Sequence, residues 1–150
     1  MTHSFVSSYL HVVFSTKGRR NLIPAELQRR LWDYLKGIVD HKGFKVLAVG
    51  GTENHVHLLL QLPATITMAQ AVQALKGNAS KWIHETFPTC PSFAWQQGYG
   101  AFGVGVARVP ETVAYIANQE RHHRTRTFED EYLEFIHRHG LTYDERYIFG

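Results

Sequence analysis

His55-Val56-His57-Leu58-Leu59-Leu60-Gln61-Leu62 is an apolar run headed by two alternate histidines. It predicts a strand from about Asn54 to Leu62, and alternate residues of a strand share a face, so the two imidazoles project side by side. Neutral imidazoles held in that way suit a divalent metal that activates phosphate or water, and they suit ordinary cross-strand packing as well. Upstream, Phe44 to Val49 reads as a second strand broken by Gly50-Gly51. The short connection between these two strands predicts an antiparallel hairpin.

Further upstream, Pro24 opens a helix with apolar residues at Leu27, Leu31, Leu35, Ile38 and Val39. Gly43 ends it, after His41 and Lys42 at the negative end of the dipole. Tyr9 to Ser15, rich in β-branched and aromatic residues, is the first strand, and Lys17 to Asn21 is a loop. Downstream, Thr67 is placed to cap a helix whose stripe is Met68, Ala71, Val72, Leu75, Ala79, Trp82, Ile83 and Phe87. Pro88 ends that helix, and a loop containing Cys90, Pro91 and Gly98 leads to a fourth strand at about Ala101 to Arg108. Phe102, Val104 and Val106 would face one way there, with Gly103 and Gly105 leaving a bare strip on the other. The order strand–helix–strand–strand–helix–strand matches the split βαβ, ferredoxin-like pattern of an α+β fold.

Two helices complete the chain. Val109-Pro110-Glu111 begins one that should run unbroken to near His122, placing Tyr115 and Gln119 on one face. A phenol can be a covalent nucleophile and an amide oxygen can complete the shell of a hard cation; equally, Tyr115 could be core and Gln119 solvated. The other helix spans about Thr127 to His139, with Phe128, Tyr132, Leu133 and Ile136 apolar and Gly140 just beyond. Tyr143, Tyr147 and Phe149 follow in a short aromatic tail.

At 150 residues the chain reads as one domain, residues 1–150, with a core of useful size. No apolar run approaches a membrane span and no leader is evident, so cytoplasmic residence is expected. One cysteine excludes an internal disulfide and a Cys-rich zinc pattern. A net charge of +3 permits nucleic-acid binding without requiring it. Its distribution says more: Lys17, Arg19 and Arg20 follow the first strand, while Arg121, Arg124 and Arg126, with His122 and His123, follow the tyrosine helix. Such clusters suit a phosphate backbone or are ordinary solvated loops. Acidic residues gather in the tail at Glu129, Asp130, Glu131 and Glu134.

The ordered set of His55-Val56-His57-Leu58-Leu59-Leu60 and Tyr115-x-x-x-Gln119 resembles the single-tyrosine transposases of IS200/IS605 insertion sequences, members of the HUH nucleases. The resemblance extends to Tyr9 through Lys17 with Arg19-Arg20, to Ala74-Leu75-Lys76-Gly77, to Trp95 through Phe102, and to the tail from Glu120 to Tyr132. It implies an antiparallel four-stranded sheet with helices on one face, then the tyrosine helix and a tail helix, with His55 and His57 on a central strand.

It further implies that Tyr115 is the nucleophile and that His55, His57 and Gln119 hold Mg²⁺ or Mn²⁺. Single-stranded DNA with hairpin ends would be cut and rejoined through a 5′-phosphotyrosine, by a homodimer whose tyrosine helices act in trans. Lys17, Arg19, Arg20, Lys76, Lys81, Arg121, Arg124 and Arg126 would then meet phosphates, and Trp95 and Tyr99 would stack on bases, leaving Trp32 and Trp82 in the core. Glu53 and Asn54 either orient a histidine or serve the turn. Serines are common in the family where Gly103 and Gly105 stand here. Three competing readings remain: a domesticated repeat-associated transposase, a non-catalytic nucleic-acid-binding module of the same fold, and a hydrolase using metal-bound water.

Overall fold

A computed structural model describes residues 4–38 and 43–149. Four strands, β1 (Tyr9–Ser15), β2 (Lys45–Gly51), β3 (His55–Gln61) and β4 (Gly100–Val104), form one antiparallel sheet in the order β2-β3-β1-β4. With α1 (Ala25–Ile38) between β1 and β2, and α2 (Met68–Thr86) between β3 and β4, this is the ferredoxin-like α+β arrangement. β3 is interior, pairing with β1 through Val13↔His57 and with β2 through Gly50↔His57.

Alternation divides the sheet into two faces. Val12, Phe14, Val56, Leu58 and Leu60 point toward α1 and α2, meeting Leu27, Leu31 and Leu35 from the first helix and Val72, Leu75 and Ile83 from the second. These side chains are almost wholly buried, and each large aliphatic contributes about 1.5–3 kcal/mol. Thr67 caps α2 through a reciprocal capping box with Gln70. Val39, His41 and Lys42 lie outside the described residues, and Gly43 takes the left-handed φ of 83° that suits a turn there.

The opposite face carries His11, Val13, His55, His57 and Leu59. It is covered by α3 (Val109–Ala117), α4 (Gln119–His122) and α5 (Phe128–Arg138). Ile116 of α3 packs on Ala48 and Leu59, while Phe128, Tyr132 and Ile136 of α5 pack on Val13 and Phe102.

Three sequence expectations need correction. Gly50-Gly51 continue β2 rather than breaking it, since both glycines pair with β3. β4 stops at Val104, and Val106, 65% exposed, belongs to a 3-10 turn leading into α3. The tyrosine helix is not continuous: Asn118, at φ −107° and ψ 28°, separates α3 from α4, and its side chain bonds back to the Ala114 carbonyl.

Gly50 explains how closely α3 rides on the sheet. A Cβ at this position would lie 2.2 Å from the Ile116 carbonyl oxygen, a contact between two backbones that no rotamer relieves. Gly50→Ala should therefore destabilise the fold by about 3 kcal/mol, lowering Tm by roughly 10 °C. A melt matching the parent would show that α3 is not seated on Gly50.

Candidate functional site

The strand period sends His55 and His57 to the face under α3–α5, and the break at Asn118 turns Gln119 inward, where it is 1% exposed. Glu131 comes from α5. It follows Phe128 by three residues and precedes Tyr132, so it lies on the helix's buried side and is fully covered.

These residues converge. One ligand atom from each of His55, His57, His123 and Glu131 lies within 4.8 Å of the others. Glu131 Oε1 is 2.8 Å from His57 Nε2, 3.1 Å from His123 Nε2 and 3.7 Å from His55 Nε2. Gln119 Oε1 is 3.1 Å from His55 Nε2 and 3.2 Å from His123 Nε2. Tyr115, half-buried at the edge of the cluster, donates its hydroxyl hydrogen to Glu131 Oε2, and its ring lies near-parallel on His122, 4.6 Å between centroids.

Hydrogen bonding around the rim tests whether the set fits a cation. His55 Nδ1 faces Asn54 Oδ1 at 2.9 Å, with Thr52 Oγ1 at 3.0 Å, and His123 Nδ1 faces the Arg126 carbonyl at 3.0 Å. Carbonyl oxygens only accept, so both rings carry hydrogen on Nδ1 and turn a bare Nε2 inward. The Gln119 amide donates to the Tyr115 carbonyl, which leaves its oxygen facing the same point. Two imidazole lone pairs, an amide oxygen and a carboxylate thus aim at one buried spot, an arrangement that repels itself until a positive charge enters. The residues fit a divalent cation, with imidazole and carboxylate as its ligands.

Burial holds His55 at a pKa of about 3, aided by His57 and His123, and burial next to His57 keeps His11 well below its ordinary value. Burial alone would push the Glu131 carboxyl up, but His57 beside it and the hydrogen bonds from His57 and Tyr115 outweigh it, leaving it ionised well below the usual range. Burial and the Glu131 charge push the Tyr115 phenol up. His55 stays neutral in the fold while the unfolded chain takes a proton near pH 6.5, so stability is lost as pH falls from 6.5 toward about 3. In EDTA, His55 alone should cost about 2 kcal/mol between pH 7 and pH 5. Denaturant midpoints at the two values would check this; equal midpoints would mean His55 is not held neutral.

The other residues singled out by sequence are scattered. Lys17, Arg20, Lys81, Arg121 and Arg124 are exposed. Arg19 pairs with Glu129 and lies over the Phe149 ring, and Arg126 pairs with Glu134 at 2.5 Å. Two residues, both half-buried, are engaged in the fold. The Lys76 ammonium bonds the Gln96 and Gly98 carbonyls, and Trp95 packs edge-on against Phe14 and Phe93 with its indole N–H on the Lys76 carbonyl. Tyr99 is half-buried against the main core, as are Trp32 and Trp82, the latter stacked on Tyr34. Asn54 does orient His55, whereas the Glu53 side chain is exposed.

Sequence reasoning missed Glu131, His11 and Thr52 as members of the site and grouped His123 only with the basic loop. Glu131 did leave a signal: it is a charged residue on the same helical stripe as Phe128 and Tyr132. His11 shares its strand face with Val13, which gave no such hint.

Fold and site together define a ferredoxin-like protein with a buried histidine–carboxylate centre beside a helix-borne tyrosine. The chain belongs to the IS200-like transposases: the family model described as "Transposase IS200 like" matches residues 4–119. Among curated relatives, the transposase for insertion sequence element IS200 of Salmonella typhimurium is 26% identical over 87 residues, 58% of this chain and 57% of that protein. The ISDra2 transposase TnpA of Deinococcus radiodurans is 27% identical over 85 residues, 57% of this chain and 61% of that protein. The matches thus span less than two thirds of these relatives.

Among solved structures, a putative transposase from Deinococcus radiodurans superposes with a TM-score of 0.62 at 25% identity, covering 79% of this chain and 96% of the other. A REP-associated tyrosine transposase bound to a REP hairpin superposes at 0.54 and 13% identity, covering 77% and 68%, a likeness of fold. No helix among the described residues is long and apolar enough to cross a membrane.

Proposed function

We propose that this chain cuts and rejoins single-stranded DNA through a covalent bond between Tyr115 and the 5′ phosphate at the break. The observation that carries this reading is the Tyr115 hydroxyl resting on Glu131, itself a member of the histidine cluster. The Tyr115 oxygen attacks phosphorus, its proton passes to Glu131, and the 3′ oxygen of the neighbouring nucleotide departs and takes up a proton as a hydroxyl. The reverse attack by a 3′-hydroxyl reseals a strand and returns the phenol, so no nucleotide is consumed.

His55, His57, Gln119, His123 and Glu131 would hold the divalent ion. Bound there, it would polarise a phosphate oxygen as a Lewis acid and offset the charge that now holds the phenol protonated. Three imidazoles and a carboxylate favour Mn²⁺ over Mg²⁺, which prefers oxygen and keeps its waters.

A cavity of about 510 Å³ adjoins Tyr115, lined in part by Phe135, Arg108, Arg138 and the bare backbone of Gly103 and Gly105. It is of ligand-binding size and would take a nucleotide flanking the break. The exposed cations Lys17, Arg20, Lys81, Arg121 and Arg124 would meet the backbone beyond it. Hairpin ends are the expected feature of the substrate, in keeping with the hairpin carried by one structural neighbour.

Labelled single strands bearing hairpins, incubated with the protein and Mn²⁺, should yield an adduct that survives a denaturing gel and is abolished by EDTA. Cleavage without any adduct would favour a hydrolase using water instead. Titration should show Mn²⁺ binding at least about tenfold tighter than Mg²⁺.

A further inference from the structure

Of the three imidazoles around Glu131, two have their outward nitrogen fixed by an oxygen that can only accept: Asn54 Oδ1 for His55 and the Arg126 carbonyl for His123. His57 is different. Its Nδ1 lies 2.7 Å from Nε2 of a fourth imidazole, His11, and its Nε2 lies 2.8 Å from Glu131 Oε1. His11 is 3% exposed, with its ring edge-on to Phe135 at 4.8 Å, so it has little freedom to turn away.

An ionised carboxylate accepts, so in the metal-free protein His57 carries its hydrogen on Nε2 and its Nδ1 accepts from His11. In that form His57 has no lone pair to offer the cluster. It can present one only as the Nδ1–H tautomer, which needs an acceptor at the very place where His11 now donates. An imidazole nitrogen can do either, whereas a carbonyl or carboxylate could only accept and an ammonium could only donate.

We propose that His11 is a positioning residue that partners His57 in both tautomers, so that His57 is a hydrogen-bond donor to Glu131 when the site is metal-free and a ligand when a cation binds. The change alters no charge on the pair. His57 releases its Nε2 proton to solvent and receives one on Nδ1 across the hydrogen bond from His11 Nε2. His11 in turn takes one from solvent on its own Nδ1. His55 and His123 are fixed as ligands; His57 joins them by exchanging one partner for another. This inference rests on the cluster being a cation site, but it depends on neither DNA nor Tyr115.

The test is two-bond ¹H–¹⁵N correlation of histidine-labelled protein at pH 8, first metal-free and then with Zn²⁺ as a diamagnetic probe. His57 should be the Nε2–H tautomer without metal and the Nδ1–H tautomer with it, while His55 stays Nδ1–H throughout. His11→Phe should weaken Zn²⁺ binding by about 10–100-fold, and His11→Gln, whose amide can donate or accept, should recover most of the loss. His57 already Nδ1–H in the metal-free protein, or unaltered Zn²⁺ affinity in a folded His11→Phe protein, would overturn the role of His11. If His11→Phe does not fold, the spectra of the unaltered protein decide alone. Zn²⁺ failing to bind at all would overturn the cation reading along with it, an outcome distinct from Zn²⁺ bound with an unchanged His57.

Discussion

Tyr115→Phe protein will form no covalent adduct with hairpin-bearing single strands, a loss of at least about 10³-fold. Only the oxygen is removed. The ring keeps its stack on His122 and its edge contacts with His57 and Phe135, so the fold has little reason to change. Glu131 loses one donor but keeps His57, for a stability cost of about 1–2 kcal/mol. Mn²⁺ affinity should persist, since the phenol is not among the converging lone pairs. Strand cleavage that survives the substitution would remove Tyr115 from the chemistry. The same variant asks whether two copies cooperate. Family resemblance implies tyrosine helices exchanged between subunits, whereas this chain already brings Tyr115 to its own Glu131. A mixture of Tyr115→Phe and His57→Ala chains should therefore restore no adduct, and recovery would establish exchange.

Glu131→Gln will weaken Mn²⁺ binding by about 100-fold and abolish adduct formation with it. The substitution preserves size but removes the one negative charge among the described residues of the cluster, putting a neutral amide in place of an anionic ligand. It also takes away the carboxylate on which the Tyr115 hydroxyl rests, the proton acceptor of the proposed reaction. Isothermal titration with Mn²⁺ and the adduct gel read the two losses separately. Unchanged affinity would place Glu131 outside the ligand set. A rise in adduct yield would mean that the carboxylate restrains the phenol instead of assisting it.

Much of this was legible in the chain because it is local. The spacing of His55 and His57, the Thr67 cap, the first strand and the α2 stripe follow from periods of two and 3.6 within single elements, and each stands where the pattern put it. The central place of the histidine strand in the sheet came from resemblance and agrees with the pairing. What escaped reading is what depends on two elements meeting. Glu131 sits in an acidic run, Glu129-Asp130-Glu131, and only the docking of α5 on Val13 and Phe102 decides that the third carboxylate is buried while the second is exposed. Trp95 looked free because its loop carries turn residues, yet Thr16 pairs with it and draws the indole against Phe14. The break at Asn118 escaped for a local reason: nothing in Ala117-Asn118-Gln119 forbids a helix, and the Asn118 side chain takes the Ala114 carbonyl that its own N–H would use in an unbroken one.

The stretch matched to the IS200-like family stops at residue 119, whereas His123 and Glu131 come after it. The centre is therefore built from two stretches of chain, the matched one with its histidine strand, tyrosine and glutamine, and a following one that brings another imidazole and, among the described residues, the carboxylate. Changes confined to that following stretch would alter His123 and Glu131 while leaving His55, His57, Tyr115 and Gln119 in place.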